Sequence, residues 1–482
     1  MLLTRRDLIR GGLGAGSLLL LSGPAGRIAA ATYPSVRPLG TARVGPWKVL
    51  TGSLHDHSTD SDGDSSSAAI TTWLHAHRAE LGIDFMTLSD HSDFFPASYS
   101  DGTPPQPDPW GRQATLQQQY VSPDFSMLRG FEWTNDQQNH LNVLLSQQWT
   151  SRFTTGDAWL SMTPFWEWLG LPAGIGGADG IGQFNHPGDK GALNWDDYAL
   201  DANAAQRMCT IEVHGAQGRD GRGSSDAGWY WYALARGWHV SPTMNWDWHN
   251  WGSDGELANA TPGSDYGRNG HLPGQRTLVF APDAMPASIR GALEARRTSA
   301  TEIPDLWAVL QASLAPARRG HGHGHDPAHG PSPTVWQGSE LTVPDERRVR
   351  IRVQAGSPTE SLTRVDLVGD NGVSPYPYYY GDNDWTANHS QLTISYVVQH
   401  GRYVQSNGHA TRKARIDAPP NGTLLASLPL TGVTGDVTFE IDLPSQPSPR
   451  PDGKHFVYAI VYAGAASAPA RCWTAPILLS RG

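Results

Sequence analysis

The sequence has 482 residues and a formal net charge of −10 at neutral pH. A chain of this length is expected to form two domains, and its acidic balance argues against a nucleic-acid partner, which needs clustered lysine and arginine. Only two cysteines occur, Cys209 and Cys472, which excludes a disulfide scaffold and favours two separate buried thiols over a pair.

The first 31 residues have the pattern of an export signal. Arg5 and Arg6 precede a short apolar run, and the small residues AAA follow at 29–31. This order predicts a cleavable signal peptide over 1–31, and the paired arginines indicate the twin-arginine route to the periplasm or the extracellular space. The apolar run is too short to cross a bilayer with ease, so we expect no stable membrane span after cleavage. An uncleaved anchor helix is the less favoured alternative.

Between residues 45 and 303, short apolar runs alternate with amphipathic ones. The runs typical of strands lie at 47–54, 83–89, 126–133, 140–145, 180–185, 209–214, 238–246 and 276–280. The runs typical of helices lie at 67–81, 157–169, 225–237 and 283–297. This alternation predicts parallel strands joined by helical crossovers, and so an α/β sheet or barrel over 45–303.

Residues 304–482 follow another pattern. Apolar and polar positions alternate in short runs, and turn sequences such as GDNG and RPDG separate them. This spacing predicts an antiparallel β-sandwich as a second domain. A tract rich in histidine and glycine lies at 318–333, and we interpret it as a flexible loop with incidental affinity for metals.

Histidines and carboxylates recur at the ends of the predicted strands. His55 and His57 follow the first strand two positions apart, so their side chains should point the same way, and Asp247 and His249 repeat the spacing. In a parallel α/β barrel the loops after the strands meet at one face. The residues expected to meet there are His55, His57, Asp62, His91, Glu132, His140, His186, Asp247 and His249.

Imidazole and carboxylate side chains without thiolates suit zinc, manganese or iron. Nine of them exceed the needs of one tetrahedral ion. We therefore expect two or three divalent metal ions, with Glu132 as a candidate bridging ligand.

The segments LHDHSTDSDG, LSDHSDF, GFEW with NHLNVL, FNHP and WDWH resemble, in order, the successive motifs of the PHP (polymerase and histidinol phosphatase) metallohydrolases. The resemblance covers about residues 45–300 and implies a distorted (β/α)7 barrel with a trinuclear metal centre. It implies three ligand sets: His55, His57, Glu132 and Asp247; Glu132, His140 and His186; and Asp62, His91 and His249. The segments RTLVFAPDAMPASIRGALEARRTSAT and CWTAPILLS resemble a secreted branch similar to carbaryl-hydrolase-type enzymes, which add a β-rich tail.

The mechanism that this resemblance implies is hydrolysis of an ester by a metal-activated water, without a nucleophilic serine or cysteine. Asp90 and His214 are candidate assistants, Asp90 by orienting an imidazole. Candidates for binding a phosphate are Lys190, Arg219 and Arg222, although solvated loop charges would look the same.

Three functions remain open at this point. The first is a phosphoesterase acting on a small phosphomonoester or phosphodiester. The second is a carboxyl or carbamate ester hydrolase with the same metal centre. The third is a catalytically inactive scaffold whose sandwich binds a glycan or a protein. The sequence does not indicate an oligomeric state.

Overall fold

The computed structural model describes residues 42–95, 108–135, 138–153, 155, 161–187, 194–213, 223–262, 274–315, 333–344, 347–370, 395–399, 402–406, 422–444, 447–467 and 469–482. The signal segment and most of the histidine-rich tract lie outside these residues. The chain divides into two units, one formed by residues 35–376 and 418–482, the other by residues 1–34 and 377–417. The described part of the second unit is an antiparallel hairpin within 395–406.

Strands and helices alternate through the first part of the chain. The strands are β1 (Arg43–Val44), β2 (Trp47–Ser53), β3 (Phe85–Leu88), β4 (Val121–Ser122), β5 (Phe125–Trp133), β6 (Leu141–Leu144), β7 (Ile181–Phe184), β8 (Met208–Glu212), β9 (Ser241–Thr243), β10 (Arg276–Ala281) and β11 (Thr298–Thr301). The helices are α1 (Ser67–Leu81), α2 (Pro109–Gln119), α3 (Thr163–Gly170), α4 (Gly223–Ala235), α5 (Asp254–Ala258) and α6 (Pro286–Glu294).

Local sequence sets the ends of these helices. Helix α1 begins after Ser66, whose side chain accepts a hydrogen bond from the backbone N–H of Ala69, and ends at Gly82, which adopts a φ of 61°. Shorter 3-10 turns lie at Ser92–Phe94 and Ala173–Ile175. Asn194–Tyr198 forms a left-handed turn, with positive φ from Trp195 to Tyr198.

The strand pairing is mixed rather than wholly parallel. β2 pairs with β3, β3 with β5, β7 with β8 and β8 with β9 in parallel. β6, however, pairs antiparallel with both β5 and β7, and β10 pairs antiparallel with β2. The expectation of parallel strands throughout is therefore wrong at β6 and at β10. The few residues between Trp133 and Leu141 can form only a hairpin, because a parallel crossover needs a dozen or more residues.

Side-chain hydrogen bonds connect β9 to β10 and β11, at the other end of the strand series. The Thr298 hydroxyl donates to the carbonyl of Pro242 at 2.8 Å. The backbone N–H of Met244, just after β9, donates to the Thr277 hydroxyl of β10 at 2.9 Å. These bonds hold β9 next to β10. The two strands are the opposite ends of the series that runs from β10 through β2 to β9.

The later strands divide between the same sheet and two smaller ones. They are β12 (Trp307–Leu314), β13 (Val335–Trp336), β14 (Glu340–Val343), β15 (Val349–Gly356), β16 (Leu362–Gly369), β17 (Ser395–Gln399), β18 (Arg402–Ser406), β19 (Thr423–Pro429), β20 (Thr434–Ile441), β21 (His455–Ala463), β22 (Ala470–Thr474) and β23 (Ile477–Arg481). β22 pairs with β11 and so connects β21, β23, β16, β19 and β14 to the first sheet.

A separate antiparallel sheet has the order β13-β12-β15-β20. One hydrophobic cluster contains Val49 and Leu278 from the first part together with Ile351, Val365 and Val457 from the later strands. The fold is therefore mixed α/β, with a large sheet and a smaller four-stranded sheet. The domain boundary at 303 stays a prediction.

Two further observations bear on the sequence predictions. Cys209 and Cys472 are both buried free thiols. Among the described residues, no helix combines the length and apolar character needed to cross a bilayer.

Candidate metal centre

The segments after β2 and β9 run side by side and place four of the predicted ligands together. The backbone N–H of His57 donates to the carbonyl of Trp248 at 3.1 Å, and that of Asp247 donates to the carbonyl of His55 at 2.7 Å. The two Nε2 atoms of His55 and His57 lie 3.3 Å apart. His57 Nε2 lies 2.9 Å from Asp247 Oδ1. His249 stacks on His57 with ring centroids 4.0 Å apart.

Glu132 lies in the middle of the cluster. It is the second-to-last residue of β5 and is 1% exposed. Its two oxygens are each within 3.6 Å of imidazole nitrogens from several other elements. The imidazoles concerned are those of His55, His57, His91, His140 and His186. A carboxylate surrounded by five imidazoles is suited to bridge two cations.

Asp62 lies on the more open side of the cluster. Its Oδ1 is 3.3 Å from His249 Nε2 and 3.7 Å from His91 Nε2 and from His57 Nδ1. The side chains of Asp62 and His249 are 34% and 26% exposed, whereas Glu132 is almost wholly buried. A substrate could therefore reach the centre from the Asp62 side.

The structure brings all nine predicted residues together. Four groups of donors, each with all its ligand atoms within 4.8 Å of one another, could hold a metal ion. The groups are His57, Asp62, His91 and His249; His55, His186 and Asp247; His55, His57 and Glu132; and His91, Glu132 and His140. Asp247 therefore groups with His186, and His140 with His91, which differs from the ligand sets that the PHP resemblance implies.

Two of these residues have unusual backbone conformations. His186 follows β7 with a φ of 28°, and Asp247 follows β9 with a φ of 46°. Positive φ is uncommon for residues other than glycine, and such strain clusters at ligand sites. His186 Nδ1 is buried and makes no hydrogen bond to any described residue. The chain thus holds the imidazole of His186 in place, and its Nδ1 atom is still available.

Glu212 was not predicted from the sequence. It ends β8, and its Oε1 accepts hydrogen bonds from His55 Nδ1 at 3.0 Å and from Asn245 Nδ2 at 2.9 Å. Its Oε2 accepts from the backbone N–H of His186 at 2.6 Å. Because a carboxylate only accepts, His55 carries its proton on Nδ1 and presents the lone pair of Nε2 to Glu132 and Asp247. The only available signal was its position at a strand end, two residues before the predicted His214.

Buried amide side chains lie beneath the cluster. Asn185 Nδ2 donates to Glu132 Oε1 and to Asn142 Oδ1, each at 2.8 Å. Gln183 Nε2 donates to Asn185 Oδ1 at 3.0 Å, and Gln183 Oε1 accepts from Thr243 at 3.1 Å. Such a connected polar network restricts the rotamers of the groups that it supports. These hydrogen bonds therefore fix the side chain of Glu132.

The charges around the carboxylates of the cluster keep them ionised, which is the state that binds cations. Burial alone would raise the pKa of Glu132 and of Asp247, but the neighbouring imidazoles outweigh it and hold both well below the ordinary range. Burial and the imidazole of His249 lower the pKa of His57 to about 3. The carboxylates of Asp247 and Asp62 outweigh the effect of burial on His249 and raise the pKa of its imidazole to about 9. Ionised carboxylates and a neutral imidazole are the states that bind a metal, and a cation would compete with the proton on His249.

The remaining predictions fare differently. Asp90 contacts serines rather than an imidazole, because its oxygens accept from the backbone N–H of Ser58 and the hydroxyl of Ser61, each at 2.7 Å. Burial and then Asp60 raise the pKa of Asp90 to about 6. Ser61 Oγ in turn lies 3.4 Å from His57 Nδ1, so Asp90 reaches an imidazole only through Ser61. The other predicted positions, Lys190, His214, Arg219 and Arg222, lie outside the described residues.

The donor set fits divalent metal ions. Imidazole nitrogens and carboxylate oxygens converge, within 4.8 Å of one another in each group. A large set of ionisable side chains is buried together only where opposite charges compensate one another. Thiolates are absent from the clusters found among the described residues, which suits zinc, manganese or iron in sites of nitrogen and oxygen ligands. The clusters could therefore bind metal.

Comparison with known proteins gives distant likenesses only. No family model matches the chain, and no curated protein matches it. A two-domain protein from Bacteroides vulgatus, described as containing a predicted PHP-like metal-dependent phosphoesterase, aligns over 81% of this chain and 96% of its own with 13% identity and a TM-score of 0.37. PsfC from Pseudomonas syringae aligns over 52% of this chain and 91% of its own with 14% identity and a TM-score of 0.29. Similarity at this level establishes neither a family nor an activity.

Proposed function

We propose that the protein is a metal-dependent hydrolase of ester bonds, and specifically a phosphoesterase that acts on small phosphomonoesters or phosphodiesters. The observation that carries this proposal is Glu132, a buried carboxylate with five imidazoles within 3.6 Å of its oxygens. The order of the motifs around these residues, which resembles that of the PHP metallohydrolases, supports the same conclusion.

The residues of the centre divide into those that would hold metal and those that would orient them. His55, His57, Asp62, His91, Glu132, His140, His186, Asp247 and His249 would hold two or three ions of zinc, manganese or iron. When bound, such ions activate water and stabilise the charge that develops on the oxygens of an ester. Glu212 fixes the proton of His55 on Nδ1, and Asn185 fixes one oxygen of Glu132.

Three further features of the proposal concern the whole chain. The paired arginines Arg5 and Arg6 support export by the twin-arginine route to the periplasm or beyond. The contacts that join β9 to β10 and β11 support a distorted (β/α)7 barrel over 45–303. The four-stranded sheet and its neighbours support a β-sandwich over 304–482.

A second candidate is a carboxyl or carbamate ester hydrolase. The same donors favour it equally, because a water activated by metal ions attacks carbonyl as well as phosphoryl centres. The third candidate, an inactive scaffold, is less favoured, because all nine donors lie at one place and all but Asp62 are buried or half-buried.

Metal analysis and a substrate panel test the proposal together. We expect at least one tightly bound divalent ion per chain, hydrolysis of nitrophenyl phosphate or bis-nitrophenyl phosphate, and loss of both metal and activity in His57→Ala. His77→Ala is the matched control, because the contacts of His77 on α1 are with Glu80 and the Trp73 ring rather than with the metal centre. Turnover of nitrophenyl acetate alone would replace the phosphoesterase by the carboxyl ester hydrolase. Less than one bound ion per chain without turnover would favour the scaffold.

A further inference from the structure

A second polar cleft lies on the other face of β5 from the metal centre. It has a volume of about 360 Å³ and is lined by Gln117, Arg129, Leu145, Ser146 and Gln147, which we call the Arg129 cleft. Arg129 lies three residues before Glu132 on β5. Neighbouring residues of a strand alternate between its faces, so an odd separation places the two side chains on opposite sides, about 10 Å apart along the strand.

Among the described residues, the guanidinium of Arg129 forms no ion pair with a carboxylate. Its Cζ atom lies 3.5 Å from the centroid of the Trp110 ring, so the planar group stacks on the indole. No carboxylate of the described residues is within ion-pair distance of it, and its buried Nε makes no hydrogen bond there. The nearby Asp108 already accepts hydrogen bonds from the backbone N–H groups of Trp110 and Gly111 at the start of α2.

A half-buried cation without a directly paired carboxylate is costly. Burial lowers the pKa of Arg129 to about 10. An anion bound in the cleft would compensate this cost, because an arginine fork matches the oxygens of a carboxylate or a phosphate.

The rest of the lining adds hydrogen-bond donors. The hydroxyl of Ser146, a residue only 4% exposed, has no partner among the described residues. Gln117 Oε1 accepts from the backbone N–H of Arg129 at 3.0 Å, which leaves the Nε2 amino group of Gln117 as a donor. Gln147 Nε2 donates to Asp179, whose carboxylate also pairs with Arg290 at 3.1 Å. Arg129 is thus the one charged residue of the lining set.

The backbone of the cleft is also unusual. Leu145 has a φ of 54°, which is uncommon for a residue other than glycine, and it follows the last residue of β6. Two hydrogen bonds hold it there. Its N–H donates to the carbonyl of Arg129 at 2.7 Å, and its carbonyl accepts from Arg290 at 3.2 Å. Strain that the surroundings maintain in this way is found at binding sites.

We propose that the Arg129 cleft binds a small molecule through an oxyanion, either a phosphate or a carboxylate group. The volume leaves room for more than the anionic group itself. Leu145 offers apolar surface to the remainder of such a molecule. This inference does not depend on the metal centre.

Calorimetric titration of the full chain with inorganic phosphate and, separately, with acetate tests the inference. We expect saturable binding of at least one of the two anions, and the stronger anion identifies the class of group that the cleft prefers. Arg129→Gln should weaken that binding about tenfold or more, because hydrogen bonds from a charged donor are lost. Arg78→Gln, which removes an equal charge from α1 outside the set of lining residues, should bind like wild type.

Two further variants keep the result unambiguous. His57→Ala should retain the binding at the cleft, whereas any phosphate bound as a product at the proposed metal centre should be lost in this variant. Failure of the hydrolase proposal therefore leaves this test intact. Ser146→Ala should weaken anion binding several-fold. Because it keeps the stack of Arg129 on Trp110, this variant tests the proposal if Arg129→Gln does not fold. Unchanged binding in Arg129→Gln, or in Ser146→Ala where the first variant is unfolded, would overturn the proposal. Lack of saturation by either anion in wild type would do the same.

Discussion

Glu212 shows how a single residue can organise the candidate centre without being a ligand. Its carboxylate joins a side chain that follows β2 to the backbone that follows β7, since it accepts hydrogen bonds from His55 and His186 at once. It also accepts from Asn245, which follows β9. The segments that follow β2, β7 and β9 are thus all hydrogen-bonded to one buried carboxylate.

Replacing Glu212 by glutamine tests this role. The glutamine amide has one acceptor oxygen where the carboxylate has two, so it cannot satisfy all three donors, and His55 loses the group that fixes its proton. We expect about 10- to 100-fold weaker metal binding with the fold retained, as for other groups that orient a metal-binding histidine. Competition with a chromogenic chelator measures the affinity directly, without an assay of turnover.

Glu340→Gln is the matched control, because Glu340 is 39% exposed and pairs only with Lys454 at the surface. Equal metal affinities for Glu212→Gln and wild type would show that Glu212 does not position the ligands.

The sequence predicts the ligands better than their supports, for a physical reason. Histidine pairs at i and i+2, such as His55 and His57, are visible because a strand end alone dictates where they point. Glu212 and Asn185 act through partners more than 25 positions away along the chain. Such partners are set by the pairing of strands and leave no local pattern. For the same reason the direct contacts of Asp90 turn out to be Ser58 and Ser61 rather than an imidazole.

At the scale of elements, the close approach of β2 and β3 depends on Gly52. Gly52 pairs with Phe85 in the parallel ladder. A Cβ atom added at Gly52 would collide with the backbone carbonyl oxygen and the ring of Phe85. Both strands lead directly into segments of the metal centre, β2 to His55 and β3 to His91.

Gly52→Ala should therefore destabilise the protein, by about 1–3 kcal/mol in the free energy of unfolding, because the backbone of β3 must move to admit the methyl group. Urea unfolding followed by circular dichroism measures the change. Gly291→Ala is the control. Gly291 lies within α6, nothing would touch the added Cβ, and the lower entropy of the unfolded chain should raise stability by about 0.5–1 kcal/mol. A Gly52→Ala variant as stable as wild type would contradict the proposed steric limit.

Elements with an apolar face were predictable, whereas those with polar faces were not. The predicted helix at 67–81 matches α1 in both limits, and the predicted strand at 126–133 begins one residue after β5. Helix α2 was not predicted, because its face toward β5 carries glutamines. Gln113 and Gln117 accept hydrogen bonds from the backbone of β5, where a core helix would usually place leucine. The direction of β6 was missed because a hairpin and a crossover share the same strand periodicity.

At the scale of the whole molecule, the later strands are built into the earlier ones. β11 pairs with β22, and Tyr230 of α4 donates a hydrogen bond to the carbonyl of Thr474 at 3.1 Å. The sequence predicts two patterns on either side of residue 303. It cannot indicate that strands from both sides share a sheet, because that sharing is decided by contacts far apart along the chain.

Arg450 provides the deepest of these contacts. It is 3% exposed, and its guanidinium donates to the carbonyls of Leu234, Gly237 and Trp238 at 2.6, 2.9 and 3.0 Å. It also pairs with Asp452 at 2.8 Å. A single arginine from the later region therefore satisfies the carbonyls that end α4.

Arg450→Met should destabilise both regions together. The change leaves three carbonyls and Asp452 without their donor, and breaking a buried charged contact of this kind costs about 3–5 kcal/mol. Circular dichroism reports on the whole chain, and most of the 19 tryptophans lie before residue 303. Because α4 and the later strands share this contact, the urea midpoints from both signals should fall together. Arg352→Met is the control, since Arg352 pairs with Asp436 at the surface, where an ion pair contributes about 0–1 kcal/mol. A fluorescence midpoint that stays in place while the dichroism midpoint falls would mean that the two regions unfold independently and that the shared sheet does not couple them.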